Sequence, residues 1–326
     1  MRKKHQGGFI EGLIMALGLL AIFLLFILPK TPPGPTTNLP SLSGKTYPTE
    51  YQSPNTNEPN TNNVVKNSSF SNTISIYSGN APYSYQPADE YITLTNNSDK
   101  PITLTGWALQ NAKGDRTYVL GGSVQRYVSD SVVIPTGVHI LSPTGNNQLE
   151  NIVLKPSESA VVTTGSIGVV TPYKIVSFKE NLCTGYIQNL PDYSFTPPLQ
   201  SNCVSPRNEP GVRNLDTQCQ DYISSMSSCH TPKYDTVDTQ GRTADRQGNT
   251  CNGCVDGNNT LSNSCISFIK AHFSYQGCLA YHQNDSNFSS RNWRIYLNKQ
   301  WELWAKSYET ISLFDAYEKL VNYQSY

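Results

Sequence analysis

Charge is scarce in this sequence, and neither sign prevails. Lys and Arg number 24, Asp and Glu number 24, and only 15% of the 326 residues are charged. That balance gives no electrostatic case for nucleic acid or an anionic membrane surface as a partner. The familiar catalytic signatures are missing as well. There is no phosphate-binding glycine loop, no G-x-G-x-x-G, no H-E-x-x-H and no G-x-S-x-G. Asp89-Glu90 is the sole adjacent acidic pair near a strand start, so no paired acid and base stands out. Cysteine is absent outside residues 183–278. No cofactor is implied.

A long apolar run occurs once, over residues 9–28, behind Arg2, Lys3 and Lys4. About 20 apolar residues span a bilayer as a helix, and flanking basic residues favour the cytoplasmic side. The expectation is a tail over 1–8 in the cytoplasm, a membrane anchor over 9–28, and the rest of the chain outside. Two rivals remain open. A cleaved signal peptide normally has a shorter apolar core and a small-residue cleavage site, whereas this run ends in Leu-Pro-Lys. A prepilin-like leader is suggested by Gly8-Phe9 with Glu11, although that glutamate sits closer to the glycine than the pattern has it. Residues 29–71 alternate Pro with Thr, Asn and Ser, and read as an extended linker with too little apolar surface to fold.

From Ile74 the pattern changes to a period of two. Ile74 and Ile76, Ile92 and Leu94, and Ile102 and Leu104 alternate with polar residues. Similar short segments at 132–134, 152–154 and 160–162 are separated by Gly-, Pro- and Asn-rich turns. Half-buried antiparallel strands at this spacing point to a β-sandwich. The stretch EYITLTNNSDKPITLTGWALQN, residues 90–111, reads as two strands joined by a turn. The same grammar returns at the C-terminus in ISLFDAYEKLVNYQSY, residues 311–326, as a second hairpin turning over 315–319. The simplest reading has both chain ends in one sandwich, with the region between inserted into it. Trp107, after a glycine at a strand end, is read as a core residue, with a ligand-stacking platform as the rival.

These motifs resemble the lamin tail domain family. Residues 90–96 and 104–109 are similar to its E-[YF]-[IV]-x-[IL]-x-N strand and its L-x-G-W-x-[IL] strand. Residues 152–165, IVLKPSESAVVTTG, are similar to its L-x-P-G-E-x turn and following strand, with Ser157 where Gly is commoner. Residues 311–326 resemble its closing hairpin, with Glu318 in place of the usual Gly. The resemblance covers roughly residues 72–178 and 306–326. It implies an immunoglobulin-like sandwich without catalytic residues. The general arrangement resembles membrane-tethered bacterial surface proteins that carry such a domain. The expected fold class is therefore mainly β: a lamin-tail-like sandwich from 72–180 plus 306–326, a disulfide-stapled helical insertion over 181–305, and an N-terminal transmembrane helix.

All eight cysteines, Cys183, Cys203, Cys219, Cys229, Cys251, Cys254, Cys265 and Cys278, fall in that insertion, and an even number outside the membrane favours disulfides. Residues 219–229 and 265–278 each carry a helical apolar stripe with a cysteine at both ends. Two antiparallel helices would pair Cys219 with Cys278 and Cys229 with Cys265. Cys183 would then pair with Cys203, and Cys251 with Cys254. Sharper readings of CNGCVDGNN are a redox pair or a zinc site using Cys251, Cys254, Cys229 and His230, but the surrounding residues are those of a turn. His272 and His282 read as solvent-facing or packed side chains.

Residues 291–304 concentrate Arg291, Trp293, Arg294, Trp301 and Trp304, the residue types that dominate binding hot spots. They are the candidate binding surface, with burial against the sandwich as the rival. Spacings of 4, 4 and 3 fit a helix for Trp293, Leu297, Trp301 and Trp304, while Trp293, Ile295 and Leu297 alternate as a strand does. The expected function is a non-enzymatic, membrane-tethered surface module binding a protein or a cell-envelope polymer. The alternative is a hydrolase or zinc-dependent site inside the insertion, which would need His, Asp and Glu to converge in one place.

Overall fold

The computed structural model describes residues 67–112, 130–142, 145–167, 175–188, 190, 193–234 and 254–326, and the backbone of 117–120 and 123–126. The expected anchor, most of the linker and Cys251 lie outside the described residues. The strands are β1 (Ile74–Tyr77), β2 (Tyr91–Asn96), β3 (Ile102–Thr103), β4 (Ala108–Gln110), β5 (Thr117–Leu120), β6 (Ser123–Arg126), β7 (Ser131–Val133), β8 (Val153–Leu154), β9 (Ser159–Thr163), β10 (Phe178–Asn181), β11 (Ser289–Tyr296), β12 (Thr310–Phe314) and β13 (Leu320–Ser325). Among the described residues, one sheet runs β1-β2-β9-β11-β10 and another β13-β12-β4-β7, with small pairs β3-β8 and β5-β6.

The period-two pattern is what builds the core. In β2, Ile92, Leu94 and Asn96 point inward while Tyr91, Thr93 and Thr95 are half-exposed. Ile74, Leu109, Val162, Trp293, Ile295, Ile311, Leu313 and Val321 join Ile92 and Leu94 in one buried cluster drawn from both sheets. Trp107 is buried in the same cluster beside Phe70, with ring centroids 5.3 Å apart. The core reading of that tryptophan holds. Each such side chain stabilises the fold by about 1.5–3 kcal/mol on burial.

Residues 90–111 do not form a hairpin. β2 lies in the five-stranded sheet and β4 in the four-stranded one, so the chain crosses between layers. The reason is Asn96. Its Nδ2 donates to Lys100 O at 2.8 Å and to Leu154 O at 2.9 Å, and its Oδ1 accepts from Ser98 N at 2.9 Å. The turn is thus closed by a side chain and tied to β8, and β3 pairs with β8 instead of β2. The C-terminal hairpin does form. β12 pairs with β13 and, across the whole chain, with β4, placing Leu313 opposite Leu109.

The inserted region is smaller than the sequence reading has it. β11 lies between β9 and β10 in the larger sheet, parallel to β9, with Trp293 opposite Ala160. This settles the choice for residues 293–296 as strand. Its last four residues are all buried, because the sandwich core covers one face and the inserted helices cover the other. A strand covered on both faces loses the clean alternation that marks a half-exposed one.

The helices are α1 (Gly185–Gln188), α2 (Thr217–Ser225), α3 (Asn263–His272) and α4 (Tyr275–His282). Side-chain oxygens of Asp216, Ser262 and Ser274 accept backbone N–H groups at the starts of α2, α3 and α4, as good N-caps do. The bridges are Cys183–Cys278, Cys203–Cys229 and Cys219–Cys265. The expected pairs Cys219–Cys278, Cys229–Cys265 and Cys183–Cys203 are therefore wrong. Two physical facts explain it. Ser262 Oγ donates to Asp216 Oδ2 at 2.8 Å, so α2 and α3 start side by side and cysteines in their first turns meet. Residues 265–278 are also not one helix: Ser274 caps a new one, which carries Cys278 away to Cys183. Cys254 is also disulfide-bonded. The expected Cys251–Cys254 pair falls outside the described residues. Gly185 packs on the Cys203–Cys229 bridge, where a Cβ would lie 2.2 Å from Cys229 Sγ.

Candidate functional site

The five residues of the expected binding surface separate. Trp293 is in the core, with the His139 ring 5.1 Å away and Lys179 Nζ 5.6 Å from its own ring. Trp304 is in the same core. Arg294 is buried on the opposite face of β11. It pairs with Glu180 through Nε, and its Nη1 and Nη2 donate to Pro197 O at 2.7 Å and Pro198 O at 2.8 Å. Only Arg291 and Trp301 are exposed. The burial alternative thus describes three of the five.

Trp301 is one of four exposed aromatic side chains carried on two loops. Trp301 is 56% exposed, and Tyr308, in the same 298–309 connection, is 87% exposed. Tyr83 and Tyr85, in the 78–90 loop, are also exposed, and the Lys306 ammonium sits over the Tyr85 ring. Trp301 Nε1 donates to Asp130 Oδ2 at 3.1 Å, and Lys299 Nζ donates to both oxygens of Asp130 at 2.9 Å.

Three polar side chains hold the 298–309 backbone. Glu90, fully buried, accepts from Leu303 N at 2.7 Å and Trp304 N at 3.3 Å. Glu309 accepts from Ala305 N and Ala112 N, each at 2.7 Å. Asn111 donates to Leu303 O. Carboxylates receiving backbone N–H groups offset their own burial and fix the loop in one conformation. Tyr308 is held at φ +54°, in the left-handed region that a bulky residue rarely occupies. No pattern in the sequence marks Tyr308, because a backbone angle leaves no trace there.

Histidine and carboxylate side chains converge in the helical region. His272 Nδ1 and His282 Nε2 both lie 3.0 Å from Glu209 Oε1, and His282 Nδ1 lies 2.8 Å from Asp285 Oδ2. The His272 ring stacks between Phe268, at 4.0 Å, and Tyr281, at 3.7 Å. Burial works against a charge on His282, but the bonds to Asp285 and Glu209 outweigh it and hold its pKa above the ordinary value. Burial, with the Glu209 charge nearby, pushes the Tyr186 phenol well up. This is the convergence that a hydrolase would need, and His272, His282 and Glu209 are all buried in it. Sequence reading missed it because Glu209 lies 63 and 73 residues from its two partners.

A second node is Asp256, which accepts from Tyr222 OH at 2.8 Å and Lys233 N at 2.8 Å and lies 2.7 Å from His230 Nε2. Burial would raise its pKa, but these partners hold it below the usual carboxylate range. The zinc reading fails at Cys229, bonded to Cys203, and at Cys254, also disulfide-bonded, since neither keeps a thiolate. Among the described residues, no group of three or more His, Cys, Asp or Glu could hold a metal ion.

Residues 52–188 match the Lamin Tail Domain family. This segment, less than half of the chain, is similar to a lamin tail domain. No curated protein and no solved structure matches the chain. Lamin tail domains are a non-catalytic, immunoglobulin-like family, with which these sheets agree. The match stops before β11, β12 and β13, although all three are built into the two sheets. Within the matched segment, the motif residues Glu90 and Asn96 bind backbone groups. The two positions where the resemblance expects glycine, Ser157 inside the matched segment and Glu318 beyond it, sit at φ +62° and +58°. The substituted residues keep the left-handed turns that glycine makes without strain.

Proposed function

We propose that this protein is a non-catalytic surface module, tethered to the cell membrane through residues 9–28, whose β-sandwich binds a cell-envelope glycan through the exposed aromatic side chains Tyr83, Tyr85, Trp301 and Tyr308. The observation that carries it is Tyr308: a strained backbone presents a ring to solvent, and its neighbours clamp it there. The Trp301 ring, beside the Asp130 carboxylate and the Lys299 ammonium, can offer a sugar a stacking face and a hydrogen-bonding edge together. The chain's formal neutrality favours an uncharged or weakly charged polymer over a polyanion. Loops on a rigid sandwich are where binding is normally placed.

Sedimentation of the full chain with insoluble envelope polymer tests this reading. Tyr308→Gly should raise the melting temperature by relieving the backbone, and Trp301→Ala should leave it unchanged. Both should lower co-sedimentation about tenfold or more. Undiminished binding in both variants would overturn the surface. Loss of wild-type binding after protease treatment of the envelope would replace the glycan with a protein partner. The tether is tested separately by N-terminal sequencing of membrane-extracted protein. Retention of residues 9–28 is expected, a start at Phe9 indicates a prepilin-like leader, and a start after Leu28 a secreted protein.

A further inference from the structure

His282 presents both ring nitrogens to carboxylates. Nδ1 lies 2.8 Å from Asp285 Oδ2, and Nε2 lies 3.0 Å and 3.1 Å from the two oxygens of Glu209. A neutral imidazole has one N–H and one lone pair, so it can donate to only one of these acceptors. The other nitrogen would set its lone pair against a carboxylate oxygen. Only the imidazolium donates in both directions. Among the described residues, no Lys or Arg pairs with Glu209 or Asp285. The groups facing His282 are accounted for from each element around it. Glu209 comes from the 206–214 connection and His272 from α3. Tyr186, from α1, is the phenol beside Glu209, and Asp285 lies just past α4.

We propose that His282 is a proton-operated latch on the helical region. While it carries its second proton, it pins the last turn of α4, and the 283–288 segment leading into β11, to the connection that bears Glu209. Loss of that proton removes one of the two bonds and leaves two carboxylates against a neutral ring. The latch then opens. The Cys183–Cys278 bridge holds the middle of α4 to the segment just past β10, so the opening is confined to residues beyond Cys278. Leu279 and Phe288, now buried in the same apolar cluster as Tyr186 and Tyr275, are the side chains it uncovers. The signal is alkalinisation. On the proposed extracytoplasmic placement, the domain meets such changes directly.

The test is on the full chain in detergent, with two readouts. Nitrogen-15 histidine spectra should show His282 doubly protonated at pH 6.5. Amide exchange of residues 279–288, corrected for the intrinsic rate, should lose protection at least tenfold between pH 6.5 and 9. In Asp285→Asn the amide can donate to Nδ1 of a neutral ring, so the midpoint of that loss should move to lower pH. A neutral His282 at pH 6.5, or protection of 279–288 that does not change with pH, overturns the latch. So does an Asp285→Asn midpoint that stays in place. If that variant fails to fold, the wild-type histidine spectrum decides alone.

Discussion

Arg291 and Arg294 stand three residues apart on β11, and the strand sends them to opposite surroundings. Arg291 reaches solvent, while Arg294 is enclosed by Glu180 and two proline carbonyls. Truncating a buried, paired charge leaves its partner uncompensated, at a cost of about 3–5 kcal/mol, whereas an exposed site changes stability by about 0.5 kcal/mol at most. Arg294→Ala should therefore lower the urea midpoint sharply, and Arg291→Ala should leave it in place. Equal effects from the two would show that the helical region does not cover β11 as described. The left-handed residues give a prediction of opposite sign. Glu318 is exposed at φ +58°, so Glu318→Gly should raise stability by about 1 kcal/mol, read as a higher midpoint at unchanged slope.

Among the elements, the C-terminal hairpin turns on Asp315. Its Oδ1 accepts from Tyr317 N at 2.8 Å and Lys319 N at 3.0 Å, and its Oδ2 from Ser68 Oγ at 2.5 Å. Burial would raise its pKa, but the Ser68 hydroxyl, the two backbone N–H groups and the Lys319 charge hold it below the ordinary value. A carboxylate whose folded pKa is depressed adds stability that is complete above the unfolded pKa. That stability is lost as pH falls through the folded one, so the window opens below about pH 4. Thermal melts between pH 2 and 5 should show a steeper acid loss for the wild type than for Asp315→Asn. Identical slopes would remove Asp315 from the acid response. On the alkaline side, the helical region should respond first, through His282.

For the whole molecule, the notable fact is that the chain closes on itself. β12 pairs with β4, Asn322 Nδ2 donates to Ile74 O at 2.8 Å, and Ser68 N donates to Leu320 O at 2.9 Å. The last strands are thus neighbours of the first. Deleting residues 309–326 removes two strands of a four-stranded sheet and uncovers Ile74, Leu109 and the rest of the shared core. The deletion should abolish the cooperative melt of the N-terminal strands as well. A 67–188 fragment melting with full cooperativity would contradict that, and would make the matched lamin-tail segment a folding unit by itself.

The sequence by itself was sufficient for the two-layer β architecture, the family resemblance, the core role of Trp107 and the C-terminal hairpin. Each rests on side-chain alternation or a turn residue, and those are local properties of the chain. It also marked the cysteines as disulfide-forming, because composition alone bears on that. What tertiary structure alone decided is everything that depends on which elements lie beside each other. The Cys219–Cys265 bridge follows from two helix starts held together by Ser262 and Asp216, and the burial of Arg294 follows from helices folded over β11. The His272–Glu209–His282 cluster joins residues with no shared pattern. Hydrogen bonds and ion pairs act over a few ångströms in space, while periodicity records only neighbours along the chain. The clamps on the 298–309 connection and the proton latch are both built from such long-range contacts, and for that reason neither was legible before the fold.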